Sequence, residues 1–428
     1  MSGVFLKPKR RLYGQVLVPG DKSISHRAAL FGGLARGQTR IKNFLAGEDC
    51  LSTLRCLRAL GVRWEQNGTD VWLESAGIDA WREPDNVLDV GNSGTTIRLL
   101  LGAFAGCPLA ATLTGDASIR RRPMRRVTEP LRMMGAQILG REQGNLAPLT
   151  IVGGGIQGCN FSTPVASAQI KSALLLAGLR AKGETTVTEP ARSRDHTERL
   201  LRGFGVDVRI NAKSVTVFGG AVLTGQEVVV PGDISSAAFF LVLGSLGMEG
   251  EIVLPGVGVN PTRTGIIDAL RAMGADIAES GRREVCGEPM ATLSVRPAAL
   301  HGTEIGGELI PRLIDELPVL AVAACFAAGE TVVRDAAELR VKETDRIKTV
   351  VAGLRTLGAQ IEELPDGFRV VGRPALRGGA VASYGDHRLA MAWAIAGVLS
   401  QEGVSIDGIE AAAVSYPGFL NDLARVTG

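Results

Sequence analysis

Aromatic side chains are scarce, at 4% of the 428 residues, so any core must be filled by Ala, Val, Leu and Ile. Long apolar runs are missing as well. The longest, Ala237 to Leu243 and Leu317 to Ala328, fall far short of the ~20 residues that cross a bilayer, so no membrane partner is expected. The start, Met1-Ser2-Gly3-Val4-Phe5-Leu6-Lys7-Pro8, has no apolar signal stretch, and a cytoplasmic location is expected. Net charge is only +3, which is not the profile of a general nucleic-acid binder. The six cysteines (Cys50, Cys56, Cys107, Cys159, Cys286, Cys325) form no C-x-x-C pair and read as reduced packing residues. The four histidines (His26, His196, His301, His387) lack metal-ligand spacing, so no metal site is expected.

Glycine is abundant, with 55 residues, and implies many tight turns in an α/β protein. The length exceeds one ordinary core and predicts two or three domains. One phrase is used twice: Val18-Pro19-Gly20-Asp21-Lys22-Ser23 returns as Val230-Pro231-Gly232-Asp233-Ile234-Ser235. In each copy Pro-Gly ends a strand, and Asp and Ser are the residues that cap a following helix. The first copy adds Lys22, Ser25 and Arg27. At a helix start, whose free N–H groups favour an anion, it is either a capped surface turn or an anion site.

A second phrase ends helices: Leu57-Arg58-Ala59-Leu60-Gly61, Leu131-Arg132-Met133-Met134-Gly135, Leu201-Arg202-Gly203-Phe204-Gly205, Leu270-Arg271-Ala272-Met273-Gly274 and Leu354-Arg355-Thr356-Leu357-Gly358. The spacing, roughly 70 to 85 residues, is that of supersecondary units and not of solenoid repeats. Each glycine is expected in a left-handed cap before an alternating strand. Between these phrases lie six segments apolar nearly all round (28–41, 97–113, 170–187, 237–253, 319–333, 389–406), which predict buried helices. The expected fold is α/β, two domains of three βαβαββ-like units each, with helices inside and sheets outside.

The six helices begin with Lys22-Ser23, Asn92-Ser93-Gly94-Thr95, Ser167-Ala168-Gln169, Asp233-Ile234-Ser235, Asp315-Glu316 and Asp386-His387-Arg388. If each set of three is parallel, these ends gather on one face of each domain, and two such faces make a cleft. Capping alone explains Ser, Asn and Asp but not Lys22, Gln169 or Arg388. Ile119 to Arg126 is a dense basic loop, either a solvated turn or a nucleic-acid patch. Arg340-Val341-Lys342-Glu343-Thr344-Asp345-Arg346 puts Lys342 and Arg346 four apart on one helical face with Glu343 beside them, which reads ordinarily as a surface ion-pair helix.

Taken in order, Gly20 to Arg27, Gly91-Asn92-Ser93-Gly94-Thr95, Arg122-Pro123-Met124, Arg340 to Arg346 and Asp386-His387-Arg388 resemble the 5-enolpyruvylshikimate-3-phosphate synthase family over essentially the whole chain. The resemblance implies a two-domain inverse α/β barrel with domains 20–231 and 232–428, residues 1–19 joining the second. It implies transfer of the enolpyruvyl group of phosphoenolpyruvate to the 5-hydroxyl of shikimate 3-phosphate, by a monomer that needs no metal or cofactor. Shikimate 3-phosphate would meet Lys22, Ser23, Arg27, Ser167, Ala168, Gln169, Arg194, Asp315 and Lys342. Phosphoenolpyruvate would meet Lys22, Asn92, Gly94, Arg122, Gln169, Arg346 and Arg388. Asp315 is assigned as base and Glu343 as acid, with Lys22 the competing proton donor. Glyphosate inhibition is expected because Gly94 lacks a side chain.

Three positions depart from the common pattern. Ala168 replaces a frequent Ser, with Lys171 or Arg194 as substitutes for its hydrogen bond; Leu99 replaces a frequent Pro; and Val414 replaces a phosphate-binding Lys. The sister transferase acting on UDP-N-acetylglucosamine is the alternative, disfavoured by Asp21-Lys22-Ser23 and by the absence of Cys from 119–126. A non-catalytic scaffold or RNA-binding module is the rival of another class. It gives no reason for carboxylates at Asp315 and Glu343.

Overall fold

The computed structural model describes residues 4–9 and 11–428; Met1-Ser2-Gly3, part of the start on which the expectation of a cytoplasmic location rests, lies outside them. The apolar segments form six helices: α1 (Lys22–Leu34), α2 (Gly94–Ala105), α3 (Ala168–Gly178), α4 (Ile234–Leu246), α5 (Leu317–Phe326) and α6 (His387–Leu399). Burial runs round their whole circumference. Every residue from 234 to 245 in α4 and from 387 to 398 in α6 is buried, so each helix must be enclosed on all sides.

The chain divides into two compact units. The N-terminal unit holds Gly20–Val230 together with Val285–Glu288. The C-terminal unit holds Pro231–Glu284, Pro289–Gly428 and the described residues up to Pro19. The turn Val285–Glu288 is thus counted with the first unit, although the strands on either side of it, Asp276–Val285 and Glu288–Arg296, pair in a sheet of the second.

In the N-terminal unit three four-stranded sheets flank α1, α2 and α3. The middle one is representative. Leu88–Asp89 runs parallel to Ala110–Thr114, which is antiparallel to Leu146–Val152, itself antiparallel to Gln137–Gly140. In chain order this is strand, α2, strand, helix Arg125–Met133, strand, strand. The pattern recurs over 160–218 and 304–371. The sixth sheet has three strands: Val4–Leu6 pairs antiparallel with Val404–Asp407, which runs parallel to Gly379–Ala382. Instead of an outer hairpin, this last unit ends in helix Phe419–Thr427, with Tyr416 and Phe419 edge-on at 5.4 Å and both rings against Phe240 of α4.

The two crossings of the chain follow one rule. Gly14–Gln15 pairs with Ile252–Val253, and Glu227–Val229 pairs with Arg40–Lys42. Each short strand before a crossing therefore stays in a sheet of the unit that the chain is leaving.

All five helix-ending glycines are left-handed, with φ of 94° at Gly61, 113° at Gly135, 86° at Gly205, 96° at Gly274 and 91° at Gly358. The arginine of each phrase has a role that the sequence alone did not suggest. Arg58, Arg132, Arg202, Arg271 and Arg355 each donate to the carbonyl six residues on, at Trp64, Ile138, Val208, Ile277 and Ile361. Glycine turns the corner, and arginine pins the strand to the helix it has just left.

At Gly205 nothing lies within 4 Å of the place a Cβ would take, so substitution there tests the backbone alone. Gly205→Ala should destabilise the protein by about 1 kcal/mol through the left-handed conformation, and Gly205→Asn by less, since Asn tolerates it. Urea unfolding measures both; an Ala variant as stable as the parent would refute the corner's dependence on glycine.

Candidate active site

In the N-terminal unit, Asp21 caps α1 by accepting from the Ile24 amide at 2.8 Å, which leaves Lys22 and Ser23 in the first turn. Lys22 Nζ is ion-paired with Asp49 of the helix Glu48–Ala59. One turn on, Arg27 is only 3% exposed. Its Nε donates to Thr197 Oγ1 at 2.7 Å, Nη2 to Ser172 Oγ at 2.9 Å and Nη1 to the Ser23 carbonyl at 2.9 Å. Burial lowers its pKa to about 10, against the opposing pull of Glu198 and Asp21. Arg27 thus braces the Lys22-Ser23 turn from beneath.

At α2 the cap is Ser93, whose Oγ accepts from the Thr96 amide at 3.1 Å. Asn92 accepts from Arg122 Nη2 at 2.9 Å and donates to Asp116 at 2.7 Å. Gly94 opens the helix. A Cβ there would stand 3.0 Å from Arg122 Nη1 and 3.4 Å from Arg98 Nη1, so two guanidinium groups converge on a helix N-terminus, the geometry that holds an anion. Gln169 of α3 joins the group, donating to Thr95 Oγ1 at 3.1 Å and accepting from Arg98. Ser167 occupies the N-cap position of α3, but its side chain makes no capping bond. Ala168 and Arg194 are both half-buried, and Arg194 acts on Arg27 as a like charge.

Lys171 was one of two substitutes expected for the missing hydroxyl at Ala168. It is 1% exposed, with Nζ 2.9 Å from Glu189 and 2.8 Å from Glu198. Two carboxylates already match its charge. Leu99 is a core residue of α2, 1% exposed, where its N–H continues the helical ladder that proline would interrupt. Val414 ends the turn Ile409–Val414 and is half-buried.

In the C-terminal unit, Asp233 caps α4 by accepting from the Ser235 amide at 2.8 Å. Asp315 precedes α5. Lys342 Nζ and Arg346 Nη1 each stand 3.4 Å from its Oδ1, Arg388 Nε 4.0 Å from the same oxygen, and Arg263 Nη1 4.0 Å from Oδ2. Arg346 is 1% exposed. It donates to Asp386 through Nε at 2.8 Å and Nη2 at 3.2 Å, and to Glu343 through Nη2 at 2.6 Å. Burial alone would lower the Arg346 pKa, but Asp386, Glu343 and Asp315 together raise it. Burial pushes the Asp386 carboxyl up, and Arg346 more than reverses this, holding it below the usual carboxylate range.

Two sequence expectations need correction or extension. Lys342 and Arg346 do not share a helical face, because Lys342 follows the short turn Ala337–Val341 and the helix starts only at Arg346, capped by Asp345, which accepts from the Lys348 amide at 3.1 Å. They meet instead through Asp315. Asp49, Arg98 and Arg263 were not singled out, and Glu316 appeared only as part of a helix start. Arg263 is 3% exposed and donates to Ser235 Oγ at 2.7 Å, while Glu316 accepts from that same hydroxyl and stands 4.0 Å from Arg388. The sequence signal for Arg263 was only an arginine in the Asn260-Pro261-Thr262 turn before a helix. None of the six cysteines is in a disulfide, and burial pushes the thiols of Cys56, Cys107 and Cys325 up to about 12.

Comparison with known proteins gives a consistent picture. A family model described as EPSP synthase (3-phosphoshikimate 1-carboxyvinyltransferase) matches residues 6–423. A curated 3-phosphoshikimate 1-carboxyvinyltransferase of Desulfitobacterium hafniense is 66% identical over 419 residues, covering 98% of this chain and 96% of the relative. That of Bacillus subtilis is 53% identical over 417 residues, covering 97% of each. Among solved structures, EPSP synthase from Acinetobacter baumannii superposes with a TM-score of 0.89 at 42% identity, covering 99% of this chain and 97% of that one. The enolpyruvyl transferase NikO from Streptomyces tendae, 17% identical with a TM-score of 0.79, covers 98% of this chain and 96% of its own and shares the fold.

The Arg346–Asp386 pair sets an acid limit on stability. A carboxylate whose pKa is lowered by folding contributes fully above its unfolded value and loses that contribution as pH falls through the folded one. Asp386→Asn should therefore cost about 3 kcal/mol at pH 7, and the gap to the parent should close as the pH falls below the ordinary carboxylate range. Denaturation at neutral and acid pH measures it; a gap that does not change with pH would mean that the charge of Asp386 is not its source.

Proposed function

This chain belongs to the EPSP synthase family and transfers the enolpyruvyl (1-carboxyvinyl) group of phosphoenolpyruvate to the 5-hydroxyl of shikimate 3-phosphate, and we propose how its side chains divide that work. Both substrates are polyanions, and the helix starts of the N-terminal unit offer matching cations. Lys22, Ser23, Arg27, Ser167, Ala168, Gln169 and Arg194 hold shikimate 3-phosphate; Arg27 also shapes the turn that presents Lys22 and Ser23, and Arg194 supplies the hydrogen bond that the Ala168 side chain lacks. Asn92, Gly94, Arg122 and Gln169 receive phosphoenolpyruvate at the α2 terminus, where the paired guanidinium groups favour a carboxylate or phosphate. Lys22, Arg346 and Arg388 complete its charge balance.

Asp315 is the base. A base on the 5-hydroxyl must be an ionised carboxylate, and the observation that carries the assignment is its setting among four cationic side chains at 3.4 to 4.0 Å. It takes the hydroxyl proton as the oxygen attacks C2 of phosphoenolpyruvate. The methylene carbon gains a proton in the same addition, and the tetrahedral adduct then gives up that methyl proton as phosphate leaves. Glu343 is the proton donor in this reading, and its 2.6 Å bond from Arg346 states the condition for it. That bond favours the carboxylate, so Glu343 takes up its proton only when phosphoenolpyruvate draws Arg346 towards itself. Lys22, held by Asp49, is the competing donor. Lys342 shares Asp315 with Arg346 and helps to orient the hydroxyl.

The lack of any C-x-x-C pair among the six cysteines supports a cytoplasmic setting, and the family resemblance supports a monomer. Among the described residues, no helix is long and apolar enough to cross a membrane.

Purified protein should release phosphate from phosphoenolpyruvate with shikimate 3-phosphate and not with UDP-N-acetylglucosamine; the reverse would keep the fold and overturn the acceptor. Asp315→Asn should lower kcat by about 10²–10⁴, and full activity in that variant would remove Asp315 as base. Glyphosate should inhibit the parent, and Gly94→Ala should raise its inhibition constant by about tenfold or more, because the new methyl group presses on the Arg122 and Arg98 guanidinium groups. Equal constants for the two proteins would refute this reading of Gly94.

A further inference from the structure

We infer that Glu189 is a positioning residue for shikimate 3-phosphate, clamping the backbones that carry Ser167 and Arg194, with Lys171 fixing the clamp. The inference rests on the assignment of those two residues as ligands of that substrate. Glu189 follows the strand Glu184–Thr188 and is 4% exposed. Its Oε1 accepts from the Ser167 amide at 3.0 Å; its Oε2 accepts from the Ser193 amide at 3.3 Å and from Lys171 Nζ at 2.9 Å. One carboxylate therefore ties the start of α3 to the turn that carries Arg194 into the helix His196–Gly203.

Three donors converge on this one group, and two of them are backbone N–H groups of loop positions. A buried amide needs an acceptor, and a carboxylate is the side chain that offers two oxygens and no donor. Lys171 supplies the compensating charge and is itself fixed from the other side by Glu198 Oε1 at 2.8 Å. Next to Glu198, Thr197 receives Arg27 Nε and shares a 2.6 Å hydrogen bond with Ser172. The same buried network thus reaches Ser167, Arg194 and Arg27 from behind, while Lys171 and Glu189 themselves stay out of solvent.

Glu189→Gln keeps the volume but places an NH₂ group where one of the three donors points. In steady-state phosphate release by the full chain, it should raise KM for shikimate 3-phosphate by about tenfold or more while KM for phosphoenolpyruvate stays within about threefold. Glu198→Gln removes the other carboxylate from Lys171 but no loop contact. It should leave KM for shikimate 3-phosphate within about threefold, even where it lowers stability to a similar degree. An unchanged KM for shikimate 3-phosphate in Glu189→Gln, or an equal rise for both substrates, overturns the inference. Arg194→Ala separates the layers: if it raises that KM and Glu189→Gln does not, only the clamp fails; if neither does, the ligand assignment fails with it. Should Glu189→Gln not fold, amide hydrogen exchange of the parent decides. The Ser167 and Ser193 amides should be protected by about 100-fold or more, and exchange at open-loop rates overturns the clamp.

Discussion

Because α4 and α6 are buried at almost every position along their lengths, they and their counterparts have no polar flank to show to water or to a ligand. Only their ends remain available. Sheets must close round the helices, charged residues are confined to the first two turns, and whatever chemistry the protein performs is assembled towards the N-terminal ends. Those positions bring their own partial positive charge and unpaired N–H groups. A pair of polyanionic substrates is the natural match for such ends, and the need to wrap the helices and the choice of substrates become one problem.

The two units handle buried charge in different ways. In the C-terminal unit one guanidinium, Arg346, serves Asp386, Glu343 and Asp315, and Asp315 is shared in turn with Lys342, Arg388 and Arg263. In the N-terminal unit a single ammonium, Lys171, lies between Glu189 and Glu198. The planar fork of arginine addresses several acceptors in fixed directions, and the ammonium acts as a compact point charge. The first arrangement suits a place where a ligand redistributes contacts. The second suits one where nothing should move.

Much of this was legible from residue order. The five glycines after Leu-Arg pairs stood out because left-handed caps demand them, and all five are left-handed. Asp21, Ser93, Asp233 and Asp386 cap their helices through side chains, as residues of those types at helix starts should. Other features depend on what folding brings together. Asp49, Glu189 and Arg263 gain partners from distant segments of the chain, and neither periodicity nor capping marks them. The Lys342 to Arg346 stretch misled for a different reason. Four-residue arithmetic holds only inside a helix, and Asp345 acts there as the cap that begins one.

The long sequence separation of the N-terminal strands from their partners also has a consequence for the order in which the protein can be made. Gly14–Gln15 finds its partner near residue 252 and Val4–Leu6 near residue 405. The strand Val4–Leu6 therefore waits about 20–80 s at ordinary rates of synthesis for its partner to be made. The intervening chain from Gly20 to Val230 holds nearly the whole N-terminal unit in one contiguous stretch, needing only Val285–Glu288 to complete it. The nascent protein thus carries its N-terminal strands as a waiting primer, and the C-terminal unit closes only when the final βα segment arrives to receive them.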